Sequence, residues 1–96
     1  MTQFKDFDIA EHLKTPEDMA EYLEASFEED SGDGLLIRHA LNNIARAQGM
    51  TQIARDAGLG RESLYKALSA TGNPEFATIM KVMKALGLKL HATAIR

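Results

Sequence analysis

The sequence has no cysteine, no tryptophan and only two prolines among its 96 residues. Without thiols it forms no disulfide scaffold, no thiolate zinc site and no cysteine nucleophile. No apolar run approaches the roughly 20 residues that span a membrane. The opening MTQFKDFDIAEH has no basic stretch leading into an apolar core, so no secretory signal and a cytoplasmic location are expected. His12, His39 and His91 are scattered without the i,i+4 spacing of paired ligands, and there is no HExxH, phosphate loop or nucleophile elbow. Gly58-Leu59-Gly60 lacks both a preceding strand and the third glycine of a dinucleotide loop. Together these absences predict a protein that is not an enzyme and needs no metal or cofactor.

What is present is ordinary globular composition, 45% hydrophobic and 26% charged, in one domain spanning 1–96. The net charge of −3 conceals a division. Residues 1–33 carry eleven acids (Asp6, Asp8, Glu11, Glu17, Asp18, Glu21, Glu24, Glu28, Glu29, Asp30, Asp33) against Lys5 and Lys14, a net of −9. Residues 34–96 carry nine bases (Arg38, Arg46, Arg55, Arg61, Lys66, Lys81, Lys84, Lys89, Arg96) against Asp56, Glu62 and Glu75, a net of +6. Such asymmetry predicts two surfaces with different partners, one drawing phosphate and the other a basic surface. The plainer alternative is two solvated helix faces.

Helical periodicity fills most of the chain. Thr15-Pro16-Glu17-Asp18 reads as an N-cap, a proline at the first helical position and acids in the first turn. Met19, Tyr22, Leu23 and Phe27 then share a face, and Asp30-Ser31-Gly32-Asp33-Gly34 ends the helix. A second helix turns Ile37, Ala40, Leu41 and Ile44 inward, with Arg38, Asn42, Asn43 and Arg46 largely outward, and closes at Gly49. Two short helices, about 51–57 and 61–69, flank Gly58-Leu59-Gly60. A last helix is expected from Asn73-Pro74-Glu75, lined by Phe76, Ile79, Met80, Met83 and Leu86 and ended by Gly87. Residues 88–95 alternate Leu88, Leu90, Ala92 and Ala94 with Lys89, His91, Thr93 and Ile95, the period of a strand. A lone strand leaves its backbone unpaired. Its partner is expected to be the same strand of a second copy, with Phe4–Ile9 as the alternative within the chain.

Residues 50–69 carry the functional reading. Ala54 is the small residue where two helices cross, and Gly58, four positions on, supplies the positive φ of the turn. Leu59 and Leu64 plug the core, backed by Ala57 and Leu68, while Ile53 anchors the first helix. That leaves Arg61, Glu62, Ser63, Tyr65 and Lys66 facing outward or along the edge of the second helix, the geometry of major-groove reading. A helical hairpin with no DNA role fits the same Ala-x-x-x-Gly spacing.

Segment 49–90 resembles the antidote (antitoxin) proteins of bacterial addiction modules, a HigA-like branch of the lambda-repressor-like (XRE-type) helix-turn-helix family. The resemblance rests on Gly58-Leu59-Gly60-Arg61-Glu62-Ser63-Leu64-Tyr65-Lys66-Ala67-Leu68, on Gly72-Asn73-Pro74-Glu75-Phe76-Ala77-Thr78 and on Ala85-Leu86-Gly87-Leu88-Lys89-Leu90. Upstream, Phe7-Asp8-Ile9-Ala10-Glu11-His12-Leu13 and Met19-Ala20-Glu21-Tyr22-Leu23 look similar too. It implies an all-α, five-helix domain, here with a short C-terminal strand paired across a homodimer. It also implies neutralisation of a RelE/ParE-type toxin and repression of its own operon through double-stranded operator DNA. Two positions depart from the family pattern. Met50 replaces the glutamine often found at the first position of the motif, and Gly60 replaces a serine or threonine cap.

Each candidate role has a competitor. Arg61 can bond guanine O6 and N7 in bidentate fashion, or merely clamp phosphate or pair with Glu62. Glu62 either accepts from a cytosine amine or orients Arg61. Ser63 and Tyr65 are read as phosphate contacts, with Tyr65 alternatively packing its ring at the core edge. Lys66 can reach phosphate or base, and Gln52 and Arg55 are candidates to position phosphate. Glu17, Glu21, Glu24, Glu28 and Glu29 form an acidic face that could cover a toxin's RNA-binding surface, with Tyr22, Leu23 or Phe27 as apolar anchors. The competing reading turns those apolar residues into this protein's own core. Two other functions suit the sequence: a stand-alone or phage-type repressor without a toxin, and a protein-interaction module that binds no DNA.

Overall fold

The computed structural model describes residues 11–95. It is all-helical, with five helices among the described residues: α1 (Pro16–Glu29), α2 (Leu35–Gln48), α3 (Met50–Ala57), α4 (Arg61–Leu68) and α5 (Phe76–Ala85). No helix among these residues is long and apolar enough to cross a membrane.

The ends of α1 follow local chemistry. Thr15 Oγ1 accepts from the Asp18 amide at 3.1 Å, and Pro16 takes the first position, where no N–H is needed. At the other end Asp30 leaves the helix and caps its successor. Its carboxylate accepts from the amides of Gly32 (2.8 Å), Gly34 (2.9 Å) and Leu36 (2.9 Å), while Asp33 Oδ1 accepts from Leu35 at 3.0 Å. The first amides of α2 are thereby satisfied although Gly34, at its N-cap, has no side chain.

α1 packs on α2, α2 on α3 and α4, and α3 on both α4 and α5. Their shared centre is Leu13, Leu41, Ile44, Leu64, Leu68 and Val82, each fully buried. Asn43 Nδ2 donates to Tyr22 Oη at 2.9 Å, tying α2 to α1, and Gln48 Nε2 donates to the Leu13 carbonyl at 2.9 Å. Between α4 and α5 the chain passes so close to α4 that a Cβ on Gly72 would sit 2.8 Å from the Ala67 carbonyl oxygen and nearer still to that of Lys66. Only glycine fits there.

Two expectations are corrected. The last helix begins at Phe76 rather than near Asn73, and its packed face is Ile79, Val82, Met83 and Leu86. Val82 is fully buried, whereas Phe76 is 68% and Met80 40% exposed. At 100° per residue, burying Val82 swings the packed arc away from Phe76 and Met80. The second correction concerns 88–95, which forms no strand. Gly87 closes α5 in the left-handed region at φ 77°, and the Leu88 amide reaches back to the Met83 carbonyl at 2.9 Å. From Lys89 to Ile95 no backbone hydrogen bond follows among the described residues. Leu88 and Leu90 rest half-buried on the core, but Ala92 and Ala94 are exposed. The alternation therefore holds for one turn of the pleat only, and a ladder needs a second strand that the described residues do not contain. Phe4–Ile9, the alternative partner, lies outside them.

Candidate nucleic-acid interface

The turn between α3 and α4 aims the site. Gly58 adopts φ 72° and ψ 30°, its amide donates to Arg55 O at 3.1 Å, and the Leu59 amide donates to Ala54 O at 2.8 Å. This 6→1 and 5→2 pair is the Schellman ending, completed by Leu59 packing back onto the core. Ala54, Ala57, Leu64 and Leu68 are buried as expected, and Ile53 with them. The inner side of α4 is thus held, and Arg61, Glu62, Ser63, Tyr65 and Lys66 are all exposed.

An open groove runs across this face between the start of α3 and the start of α4. Arg46, Thr51, Gln52, Arg55, Arg61 and Tyr65 line it, together with Gly49 and Met50. Four of the seven sequence-derived residues therefore meet: Gln52, Arg55, Arg61 and Tyr65. Glu62, Ser63 and Lys66 lie on the exposed surface of α4 outside the groove. Arg46 and Thr51 were not among the candidates. Arg46 is the last base of α2, and the Gly49 elbow, at φ 105°, brings that helix end beside α3. Its sequence signal is that of an outward-facing base three positions before a glycine.

The groove contains three guanidinium groups and no acid among its lining residues. Arg61 Nη2 donates to Tyr65 Oη at 3.3 Å, and its guanidinium lies 5.3 Å from the Tyr65 ring centroid. Tyr65 thus holds Arg61 by ring face and hydroxyl together, one turn apart on the same helix. Gln52 Nε2 donates to Asp56 Oδ1 at 2.9 Å, so the acid on α3 is occupied. Gly60 gives α4 no side-chain cap, which leaves the first amides of the helix for an incoming acceptor. Met50, at the position where a repressor often has glutamine, is buried and belongs to the core. Chemically, the surface offers three cations, an amide side chain, the Thr51 and Tyr65 hydroxyls and an uncapped helix start, all suited to phosphate and base edges.

The acidic face lies elsewhere. Glu17, Glu21, Glu24, Glu28 and Glu29 are all exposed on α1. Leu23 is buried and Tyr22 bonded to Asn43, so these two serve the protein's own core; Phe27 is 39% exposed. Asp30 ionises below the ordinary aspartate value of 3.8, chiefly because the Gly34 amide bonds its carboxylate, with Gly32 and Leu36 adding to this against partial desolvation.

Residues 3–94 match the sequence family described as "probable addiction module antidote protein". A protein of Haemophilus influenzae, described only as uncharacterized, is 57% identical over 94 residues, covering 98% of this chain and 95% of its own. No solved structure matches the chain. The chain belongs to the addiction-module antidote family.

Proposed function

We propose that this antidote is a HigA-like, XRE-type regulator that represses its own operon and neutralises a RelE/ParE-type toxin. The observation that carries the DNA half is the acid-free groove, in which Arg46, Arg55, Arg61, Gln52 and Tyr65 converge beside the uncapped start of α4. In this reading α3–turn–α4 is the helix-turn-helix. Arg61 reads a guanine from the major groove; Glu62 orients it; and Ser63, Tyr65 and Lys66 contact the flanking backbone. Gln52 and Arg55, joined by Arg46 and Thr51, hold phosphate. A homodimer places two α4 helices in successive major grooves about 34 Å apart, so the operator carries an inverted repeat.

The toxin half rests on family membership and on the charge of α1. A toxin that acts on RNA presents a basic surface, and the glutamates of α1 offer it phosphate-like charge. Glu28 and Glu29 sit in the last turn of α1, where the helix dipole disfavours negative charge and no base compensates. That placement works against the helix and in favour of an external cation.

Gel shifts with the upstream DNA in rising salt test the first half. A log–log slope of several units is expected from counterion release, and a slope near zero removes the phosphate-tracking interface. Co-expression with the neighbouring gene product tests the second. Co-purification of a small basic protein supports neutralisation. DNA binding without it leaves a stand-alone repressor, and co-purification without DNA binding leaves an interaction module.

A further inference from the structure

One acid stands on the helix that carries the basic groove. Asp56 is exposed, the penultimate residue of α3. Its charge is doubly out of place there. A carboxylate at the end of a helix opposes the dipole, and beside the groove it weakens the positive field that draws phosphate. No cation offsets it, since among the described residues the one ion pair joins Lys14 to Glu11. Arg55, adjacent in sequence, is turned about 100° away around the helix.

Gln52 lies between the two, one turn back. Its Nε2 donates to Asp56 Oδ1 at 2.9 Å, and its Oε1 accepts from Arg55 Nη1 at 3.5 Å. Gln52 and Arg55 line the groove; Asp56 does not. The chemistry of the three groups makes this order directional. A carboxylate only accepts, so it takes the Nε2 end of the amide and turns Oε1 toward the guanidinium, which only donates. The flipped amide would set donor against donor and acceptor against acceptor. We infer that Asp56 is a positioning residue of the groove: it orients the Gln52 amide, and the amide aims Arg55 at phosphate. An arginine already held loses less rotamer freedom when phosphate arrives. One Nη1 contact leaves the rest of the fork for the ligand, and Gln52 keeps its second Nε2 hydrogen for the same purpose. The role rests on DNA binding by the groove and adds an acid whose loss weakens attraction to a polyanion.

Gel shifts with the DNA upstream of the gene, at one fixed salt concentration, separate positioning from simple repulsion. If Asp56 only repels phosphate, Asp56→Ala and Asp56→Asn both tighten binding, because each removes a negative charge. Positioning gives the two variants opposite signs. Asp56→Ala removes the acceptor and should weaken binding about two- to fivefold, the worth of two exposed side-chain links one turn apart. Asp56→Asn keeps an acceptor for Gln52 Nε2 without the charge, and should bind at least as tightly as the parent. The alanine loss should be equal on a duplex of unrelated sequence, since Arg55 holds phosphate and not a base. It should vanish in an Arg55→Ala background. Alanine is the better helix former and relieves the dipole, so Asp56→Ala should unfold no earlier than the parent, which keeps folding out of the comparison. Alanine and asparagine variants that move together, in either direction, overturn the role, as does an alanine loss that persists without Arg55. Both of those results leave the groove's DNA binding standing, whereas a parent chain without salt-dependent DNA binding overturns the two readings together.

Discussion

α1 and α4 both turn a polar face to solvent, yet they are held in opposite ways. α1 has fourteen residues, a side-chain cap from Thr15 and a proline start, so much of its definition is local. α4 has eight residues, a glycine cap with no side chain and too few turns to persist alone in water. It exists because Leu64 and Leu68 are sunk in the core and because Gly58 turns the chain onto it. Where the core supplies the stability, the outer residues are left to be chosen for a partner. Where local rules supply it, departures such as Glu28 and Glu29 at the wrong end of the dipole stand out as candidates for function.

The sharpest way to break this contrast is to remove the core anchor. Leu64→Ala should lower stability by about 2–5 kcal/mol in urea unfolding, whereas Glu24→Ala on α1 should stay within about 0.5 kcal/mol. Similar losses for the two would mean that α4 does not depend on the core. Next in size, Arg61→Ala should weaken operator binding by about 1–3 kcal/mol and flatten preference at one base pair. A uniform loss over all sequences would reduce Arg61 to a phosphate contact. Arg46→Ala, by contrast, should weaken all sequences alike and reduce the salt slope by about 1, as a phosphate contact does.

Smaller effects belong to the caps. Thr15→Ala should cost about 1 kcal/mol, measured by thermal or urea unfolding, because the Asp18 amide loses its acceptor. Asp30 adds a pH dependence of known sign. Its folded value lies below 3.8, so its ionised form favours the native state above that pH, and the contribution disappears as pH falls through the lowered folded value. Asp30→Asn should therefore flatten part of the acid limb of a stability–pH curve below about pH 4 and leave its neutral region parallel to the parent. An unchanged acid limb would remove Asp30 from that role.

Much of the helical frame was legible because it is written in short-range chemistry. Thr15-Pro16 starts α1; Gly49, Gly58 and Gly87 adopt the positive φ that their positions after helices suggested; and Ala54, Leu64 and Leu68 pack as their spacing implied. The face of α5 was not legible, since 76/79/80/83 and 79/82/83/86 are both valid helical stripes and only the packing against α3 selects the second. Nor was the state of 88–95, because alternation records what a segment can pair with and not whether a partner is beside it. At the groove, residues on α3 and α4 could be grouped from sequence, being neighbours through one turn. Arg46 and Thr51 join them through the angle at Gly49, a three-dimensional quantity with no periodic signature.

Gly72 sets a limit on α4 itself. With the chain folded over the Lys66 and Ala67 carbonyls, α4 has no free end along which to grow. Its eight residues span about 12 Å, so whatever it docks against meets a probe of two turns, roughly the rise of three to four stacked base pairs. Longer recognition by this protein therefore has to come from repetition rather than extension.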